Sequence, residues 1–403
     1  MKKGWEIKRL SEIGKVYNGN SINEKVKKDN YSDLDFGFPY IATKDISYKS
    51  EITYDNGIKI PFSEKSSFKI APKNTVLICA EGGSAGRKIG FTNQEVCFGN
   101  KLFALATNND IESRYVYYYY FSETFQNHFS IELAGIIGGV SMNKFKDIEI
   151  PLPPIAEQQR IVTILDEAFT AIAKAKANVE QNLKNAKELF ESYLQGVFEN
   201  GNWEINKLNE ITEVKDGTHD SPKYIQDGIP FITQKNIRQD GLSFADTKFI
   251  TDTDHEKFYK RSNVSYGDIL ISMIGANRGM AAIVDNKRIF SIKNVGLIKE
   301  SKNINNQFLL YYLKSSMAMK YILYMSNGGA QEFIGLTALR SFPIPFPPLN
   351  EQQNIVQKLD AISTETKKLE AIYQQKIKDL EELKKSVLQK AFSGELKTDK
   401  LCV

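Results

Sequence analysis

Hydrophobic residues recur at alternating steps of three and four along two long stretches, and the second stretch repeats the first. Each stretch begins at a proline cluster, Pro151-Leu-Pro-Pro-Ile-Ala-Glu-Gln-Gln159 and Pro345-Phe-Pro-Pro-Leu-Asn-Glu-Gln-Gln353. Proline is tolerated in the first turn of a helix, and the helix dipole favours acidic groups there. The pattern therefore predicts the start of a helix at each cluster.

The apolar seam runs over 161–197 in the first predicted helix and over 355–391 in the second. Steps of three and four are typical of coiled coils, and an extra step of four after Val179 and after Tyr373 would locally unwind the supercoil. Each helix is expected to be about 60 Å long, from ~40 residues at ~1.5 Å per residue. We expect the helices to stop near Gly196 and Gly394.

The outer faces of these helices are rich in Lys and Glu, as at Lys174, Lys187 and Glu188. Charged outer faces favour a thin two-helix rod with solvated sides. The alternative is that both helices lie within one large core, and the sequence leaves it open.

The repeat extends beyond the helices, because Trp5-Glu-Ile-Lys-Arg-Leu10 matches Trp203-Glu-Ile-Asn-Lys-Leu208. Short β-branched runs predict strands in each half, and the aromatic segments 114–129 and 306–325 predict buried helices. The predicted divisions are a first globular module at 1–153, a long helix at 154–200, a second module at 201–348, a long helix at 349–394 and a tail at 395–403.

The order of the repeat constrains the topology. The second module begins at Trp203, where the first helix ends, and finishes near Pro348, where the second helix begins. Parallel helices would place those two ends ~60 Å apart, so the helices are predicted to be antiparallel, with a pseudo-twofold internal repeat. The predicted fold class is α+β (mixed α/β), with two tandem globular domains joined by two long coiled-coil helices.

Composition adds bounds on location and partners. The 403 residues carry a net charge of +4, which neither forbids nucleic-acid binding nor indicates it strongly. No apolar run approaches the length of a membrane span, and no export signal follows Met1. The cysteines Cys79, Cys97 and Cys402 form no metal-binding or disulfide spacing, so we expect reduced thiols in a cytoplasmic protein.

Motifs for catalysis are not recognisable. The acidic stretch Leu165-Asp-Glu-Ala-Phe169 lies on a predicted coiled-coil helix, and the chain has no phosphate-binding loop to accompany it. His128, His219 and His255 form no local set of metal ligands, and no serine or cysteine lies in a nucleophile elbow. The sequence thus predicts neither a catalytic site nor a cofactor or metal site.

Polar loops at equivalent places in the two modules are the candidate binding residues. Arg and Lys can read guanine edges, and Asn and Gln can read adenine, although ordinary solvated loops have the same composition. The candidates in the first module are Lys44, Ser84, Arg87, Lys88, Asn100, Lys101, Ser141, Asn143 and Lys144. Those in the second module are Gln234, Lys235, Asn236, Asn277, Arg278, Lys293, Asn294 and Gln331. Because equivalent loops differ in sequence, the modules are expected to recognise different targets.

The duplicated Pro-x-Pro-Pro-(Ile/Leu)-x-Glu-Gln-Gln start, the Trp-Glu-Ile-x-x-Leu module starts and the stretch Asp216-Gly-Thr-His219 resemble a known family. Over essentially the whole chain, they resemble the specificity subunit of type I restriction–modification systems. The resemblance implies that each module is a target-recognition domain for one half of a split double-stranded DNA site. It also implies an antiparallel spacer that docks methyltransferase subunits, with a motor-nuclease subunit joining them.

The resemblance further implies a non-catalytic chain, with S-adenosylmethionine, ATP and magnesium belonging to the partner subunits. One departure from seam symmetry is Lys384, which stands where the first helix has Phe190. Two other classes remain open: a coiled-coil scaffold or adaptor that joins protein-binding modules without reading DNA, and an enzyme whose active site the sequence does not reveal.

Overall fold

The computed structural model describes residues 3–133, 138–275, 277–326 and 333–396. These residues form two compact units, one from 1–179 with 375–403 and the other from 180–374. Each unit contains one globular module and a part of each long helix. In the described ranges, no helix combines the length and the apolar character that a membrane span requires.

Unit 1 is built around two four-stranded sheets. Its elements are β1 (Glu6–Arg9), α1 (Leu10–Ile13), β2 (Gly14–Asn18), α2 (Glu24–Asn30), β3 (Phe38–Ile41), β4 (Lys59–Ile60), β5 (Ile70–Ala71), β6 (Val76–Cys79), β7 (Ile89–Phe91), β8 (Val96–Phe98), β9 (Leu102–Thr107), α3 (Ser113–Tyr119), α4 (Glu123–Ile131), α5 (Met142–Lys146), β10 (Glu149–Leu152) and the start of α6 (Ile155–Asn200). The strand orders are β2-β9-β6-β7 and β4-β3-β8-β5, and β1 pairs with β10.

The sequence of β6 is apolar at every position because both faces of the strand are buried. Val76 and Ile78 belong to the core that faces the helices, whereas Leu77 and Cys79 belong to the core on the other side of the strand. Side chains alternate between the two faces of a strand, so a strand covered on both faces has no polar side. The continuous apolar run is therefore the signature of a strand buried on both faces.

The beginning of α6 packs against the end of the second long helix in unit 1. Ile161 and Leu165 share a core with Leu388 and Ala391. Further along, Lys176 Nζ lies 2.7 Å from Glu381 Oε1. Residue numbers rise along one helix as they fall along the other, so the two helices are antiparallel here, as predicted.

Unit 2 repeats this plan. Its elements are the end of α6, β11 (Ile205–Lys207), α7 (Leu208–Ile211), β12 (Val214–Asp216), β13 (Ile229–Ile232), β14 (Ile237–Arg238), β15 (Gly241–Leu242), β16 (Lys248–Ile250), α8 (Asp252–Ser262), β17 (Ile269–Ser272), β18 (Ala281–Ile283), β19 (Ser291–Ile292), β20 (Val295–Ile298), α9 (Asn306–Lys314), α10 (Ser316–Met325), α11 (Leu336–Arg340), β21 (Pro343–Pro345) and the start of α12 (Leu349–Ser393). The sheets are β12-β20-β17-β18, β16-β13-β19, β14-β15 and β11-β21.

The long helices are antiparallel in unit 2 as well. Leu194 and Phe198, near the end of α6, share a core with Val356 and Leu359, near the start of α12. Residues 171–180 of α6, all of which the structure describes, are half-buried or exposed. Solvated sides in the middle of the helix favour the thin two-helix arrangement over burial in one large core.

A buried glutamine attaches each long helix to its module. Gln352 is fully buried, and its Nε2 donates to Pro347 O at 2.7 Å while its Oε1 accepts from Asn305 N at 2.8 Å. Gln158 makes the equivalent pair of bonds at the start of α6. The middle residue of each Glu-Gln-Gln run thus joins the helix start to its own proline cluster and to the module.

The tryptophan that opens each module contacts the same turn. Trp5 Nε1 donates to Glu157 Oε2 at 3.3 Å, and Trp203 Nε1 donates to Glu351 Oε1 at 2.9 Å. The recurrence of these contacts in both units confirms the predicted internal repeat. It also explains why the two motifs, about 150 positions apart in each half, occur together.

Two local expectations differ from the structure. Helix α6 continues through Gly196 to Asn200, whereas Gly394 follows the end of α12 directly, with a φ of 79° that glycine tolerates best. Each predicted aromatic helix is two shorter helices. Ser122 and Ser315 cap the second member of each pair through bonds from Phe125 N and Ala318 N. The expected departure from seam symmetry at Lys384 is present, since Lys384 is exposed and its Nζ lies 4.9 Å from the ring centre of Phe169.

Candidate nucleic-acid interface

The parallel pair β3 and β8 brings two of the predicted loops of the first module together. Tyr40 pairs with Cys97 and Ile41 with Phe98, so both strands end at the same edge. Gly99 N donates to Ile41 O at 2.9 Å. Lys44 follows β3, while Asn100 and Lys101 follow β8, and all three side chains are exposed. The edge therefore gathers side chains that lie more than fifty positions apart in the sequence.

The end of β6 adds the other two loops to this edge. Ala80 N donates to Lys101 O at 2.9 Å, which places the loop 80–88 beside the loop after β8. Val140 N donates to Ala80 O at 3.0 Å, and Gly82 N donates to Gly138 O at 2.7 Å. Just beyond, the candidates Ser141, Asn143 and Lys144 lie at the start of α5 and are exposed. The four predicted loops thus converge at one edge; whether they contact DNA stays a prediction.

Tyr48 lies among these loops, and sequence reasoning missed it. Its side chain is 59% exposed. The Arg87 guanidinium lies 5.0 Å and the Lys88 Nζ 5.2 Å from the ring centre, and the Tyr48 hydroxyl is 3.2 Å from Ser84 Oγ. Cations over an aromatic face are held by its quadrupole, so Tyr48 orders the basic side chains at the edge. A lone tyrosine in a polar loop gives no periodic signal that could have identified it.

The basic candidates of this edge differ in how strongly the protein already holds them. Lys88 Nζ donates to Thr43 O at 2.9 Å, and Lys144 Nζ lies 2.6 Å from a Glu132 carboxylate oxygen. Arg87 is exposed, and its Nη1 makes a long bond of 3.4 Å to Gly83 O. Lys44 and Lys101, which are exposed, are therefore the cations that can most readily turn to a ligand.

The second module has the corresponding edge. Strands β13 and β19 are parallel, with Phe231 paired to Ser291, and Lys293 N donates to Ile232 O at 2.9 Å. Lys293 and Asn294 follow β19 and are half-buried, and Gln234 and Lys235 lie in the turn after β13. The loop before α11 also comes close, since Ile334 N donates to Met273 O at 2.8 Å.

Asn236 is buried and holds its own turn. Its Oδ1 accepts from Thr233 N at 3.0 Å, and its Nδ2 donates to Ser243 O at 3.1 Å. Asp45 in the first module makes the equivalent bond, since Ala42 N donates to its Oδ2 at 2.8 Å. An Asn or Asp three residues after the start of a turn often bonds back to the backbone, and this spacing was a readable signal.

The remaining candidates of the second module are placed differently. Asn277 and Arg278 lie in a tight turn in which Arg278 N donates to Gly275 O at 3.1 Å. Asn277 is half-buried and Arg278 is only 9% exposed. Gln331 lies outside the residues that the structure describes. Whether any of these side chains contacts DNA stays a prediction.

Behind this edge lies a charged network that sequence reasoning did not assemble. The Asp216 carboxylate is 6% exposed and accepts from both Arg261 Nη2 and Nε, at 2.7 and 3.0 Å. His219 lies between it and the edge: Nε2 is 3.1 Å from Asp216 Oδ2, and Nδ1 is 2.7 Å from Asn294 Oδ1. Nearby, a hydrogen bond from Lys257 lowers the pKa of Asp220.

Both edges carry groups that can form hydrogen bonds. They offer ammonium, guanidinium and amide donors together with amide and hydroxyl acceptors. Within the part of the chain that the structure describes, no three His, Cys, Asp or Glu side chains are grouped to hold a metal ion. Burial raises the pKa of the Cys97 thiol to about 12, so this thiol stays protonated at neutral pH.

Comparison with known proteins gives a consistent result. Residues 2–184 and 200–379 each match the model of the type I restriction modification DNA specificity domain. The chain is 24% identical over 418 residues to the type I restriction enzyme MjaVIII specificity subunit of Methanocaldococcus jannaschii, covering 98% of this chain and 94% of that protein. It is also 24% identical to the type I restriction enzyme EcoKI specificity subunit of Escherichia coli, covering 98% and 89%.

Solved structures share the fold. A chain from work on complex assembly and conformational transition of the type I R-M system has a TM-score of 0.77 at 20% identity, covering 98% of this chain and 99% of its own length. The HsdS subunit from Thermoanaerobacter tengcongensis has a TM-score of 0.68 at 20% identity, with 98% of each chain covered.

Proposed function

The chain belongs to the family defined by the type I restriction modification DNA specificity domain, which it contains twice, and from this we propose that each module reads one half of a split DNA site through its strand-edge loops. The main observation that supports this proposal is the convergence of four loops at one edge of the first module. The corresponding loops meet at an edge of the second module. Equivalent loops carry different side chains, such as Thr43 against Gln234 and Asn100-Lys101 against Lys293-Asn294.

Because the two modules share a framework but differ in their loops, they are proposed to recognise different sequences. Base edges in the major groove differ in their donors and acceptors, so side chains of different type read different bases. Cations such as Arg87 and Lys101 also contact phosphates, which fix the register of the protein without reading sequence. Two equivalent frameworks with different loops therefore specify two different half-sites.

The long helices are proposed to set the spacing of the half-sites and to dock methyltransferase subunits, with a motor-nuclease subunit joining the complex. Their exposed Lys- and Glu-rich faces supply a surface for partner subunits. The chain itself is proposed to be non-catalytic. S-adenosylmethionine, ATP and magnesium are assigned to the partners, in accordance with the specificity-subunit names of its relatives.

The test uses the full-length chain assembled with methyltransferase subunits, and selection of bound duplexes from a randomised library. Lys44→Ala with Lys101→Ala changes the first edge, and Gln234→Ala with Lys235→Ala changes the second. Asn236 is left intact because its side chain holds the turn. Lys73→Ala and Lys302→Ala are matched controls, since both lysines are exposed and lie beyond the opposite ends of the central strands.

Each edge variant should alter one half of the selected site and leave the other unchanged. A lost base contact should reduce discrimination by about 1–3 kcal/mol, and a lost phosphate contact should reduce the salt slope by about one. If the parent complex selects no sequence, the scaffold alternative is favoured. If each edge variant alters both halves equally, independent reading is refuted.

A further inference from the structure

His219 lies where it can control a candidate base-reading side chain. It stands three residues after Asp216, at the end of β12, and its side chain bridges the buried carboxylate of Asp216 and the amide of Asn294. Asn294 has a φ of 53° and its N donates to Thr218 O at 3.1 Å, so its backbone is fixed at the edge. The remaining freedom of Asn294 is in its side chain.

We propose that His219 is a positioning residue for DNA reading by the second module, because its protonation state decides which atom of the Asn294 amide faces outward. This inference rests on the proposed function. It assigns His219 a role in specificity without requiring the imidazole to touch a base.

The argument begins with Asp216. A carboxylate paired with Arg261 is ionised and can only accept, so the proton between Asp216 and His219 must sit on Nε2. Nδ1 then has two possible states. When it carries a proton, it donates to Asn294 Oδ1, and the amide NH₂ is left for a ligand. This matches the observed 2.7 Å contact with the oxygen.

When Nδ1 loses its proton, two lone pairs face each other across this contact. The amide must then turn over, so that Nδ2 donates to Nδ1 and the oxygen takes the outward place. The order of donor and acceptor presented to a base edge is thereby reversed. Asn reads adenine through a paired donor and acceptor, so a base that matches one orientation is mismatched by the other.

The charged groups around the ring come from three elements. They are Asp216 and Asp220 on β12 and the loop after it, Lys257 and Arg261 on α8, and Lys293 beside Asn294. Three of these are held in place: Arg261 by Asp216, Lys257 by Asp220 at 2.8 Å, and Lys293 by Ser221 Oγ at 2.5 Å. The three cations are therefore held by partners other than the imidazole, and the Asn294 amide is the partner of Nδ1.

The first module provides a natural control. Asn20 bridges to Gly99 as Thr218 bridges to Lys293, so Asn18 corresponds to Asp216 and Ser21 to His219. Lys69 Nζ donates to Asn18 Oδ1 at 2.8 Å, in the place of the Arg261 contact. Ser21 does not titrate near neutral pH, so the first module should read the same bases at every pH.

The experiment selects bound duplexes with the full-length chain and its methyltransferase partners at about pH 5 and about pH 8, on either side of the range in which imidazoles titrate. Parent, H219A, H219Q and the control S21A are compared. In the parent, the preference at one base pair of the second half-site should change about tenfold to a hundredfold between the two pH values. H219A and H219Q should lose this change, whereas S21A should keep it.

A second measurement does not depend on DNA. Nitrogen-15 spectra of the histidine rings, with H219A used for assignment, should show the neutral His219 ring protonated at Nε2. A neutral ring protonated at Nδ1 would overturn the proposal. The proposal would also be overturned if the parent selected the same second half-site at both pH values, or if H219A and H219Q still changed their base preference with pH. A parent that selects no sequence at either pH overturns the proposed function and this inference with it, and the spectra then show whether the ring state is as described.

Discussion

The buried Gln352 gives the sharpest prediction about stability. Replacing it with alanine removes the partner of Pro347 O and the partner of Asn305 N, in a place with no exposure to water. Each buried polar group left without a partner costs about 1–3 kcal/mol, so Gln352→Ala should lower the free energy of unfolding of unit 2 by about 2–6 kcal/mol. Asn305 also caps α9 through bonds from Gln307 N and Phe308 N, so the loss extends to that helix.

The neighbouring Gln353 is the matched control, because it has the same chemistry on the same helix turn and is exposed. Gln353→Ala should change the free energy by no more than about 0.5 kcal/mol. A third variant, Gln352→Met, fills the space but cannot hydrogen-bond. It should remain close to Gln352→Ala if the lost hydrogen bonds dominate.

The assay must report on one unit, since a chain with two units has no single free energy of unfolding. The sequence has two tryptophans, one at the start of each module. In a Trp5→Phe background, the fluorescence of Trp203 during urea unfolding follows unit 2 alone. The reasoning is refuted if Gln352→Ala and Gln353→Ala unfold at the same urea concentration. Recovery of the parent midpoint by Gln352→Met would instead attribute the loss to packing.

Other predictions use different interactions. Asp268 is fully buried and pairs with Lys299 at 2.6 Å, so Asp268→Ala should destabilise unit 2 by about 3–5 kcal/mol in urea unfolding, and an effect below that of Gln353→Ala would contradict this. Phe392→Ala should lower the free energy of unfolding of unit 1 by about 3–5 kcal/mol, because the ring packs in the core that the two long helices share. An unchanged urea midpoint, followed through the fluorescence of Trp5, would count against it. The pKa of Tyr118 is raised to about 12, mainly by burial and secondly by the hydrogen bond to the Asp166 carboxylate. An unfolded tyrosine titrates near 10. The unfolded chain therefore loses the Tyr118 proton first as the pH rises. The stability that this group contributes is present below about pH 10 and is lost between about pH 10 and about pH 12. Tyr118→Phe should make the loss smaller, and an equal loss in both proteins would refute the argument.

Sequence patterns predicted the parts of the fold that local chemistry controls. Proline followed by Glu-Gln-Gln predicted both helix starts, and the order of the repeat predicted antiparallel helices, because both depend on spacing alone. The network of Asp216, His219 and Asn294 was not predictable in the same way. Its members come together only after β12 and β20 have paired, and no local pattern specifies that pairing.

The candidate interface shows the same limit. The repeat allowed equivalent polar loops to be chosen from the sequence, but neither their convergence at one edge nor the direction of their side chains could be predicted. Asn236 and Lys235 are adjacent in sequence, yet one is buried in its own turn and the other is exposed. Tyr48 was missed because its role depends on Arg87 and Lys88, which reach it from another loop.

The composition of the two units has a consequence for synthesis on the ribosome. Unit 2 is one continuous segment, 180–374, whereas unit 1 joins residues near the beginning of the chain to 375–403. The rings of Tyr115 and Tyr119 lie 5.1 and 5.3 Å from that of Phe392, so their packing must wait until Phe392 has emerged. The module translated second can therefore complete its core first, and the module translated first must keep exposed aromatic surface from aggregating during the interval. A chaperone that binds the nascent chain should therefore be found on the earlier module.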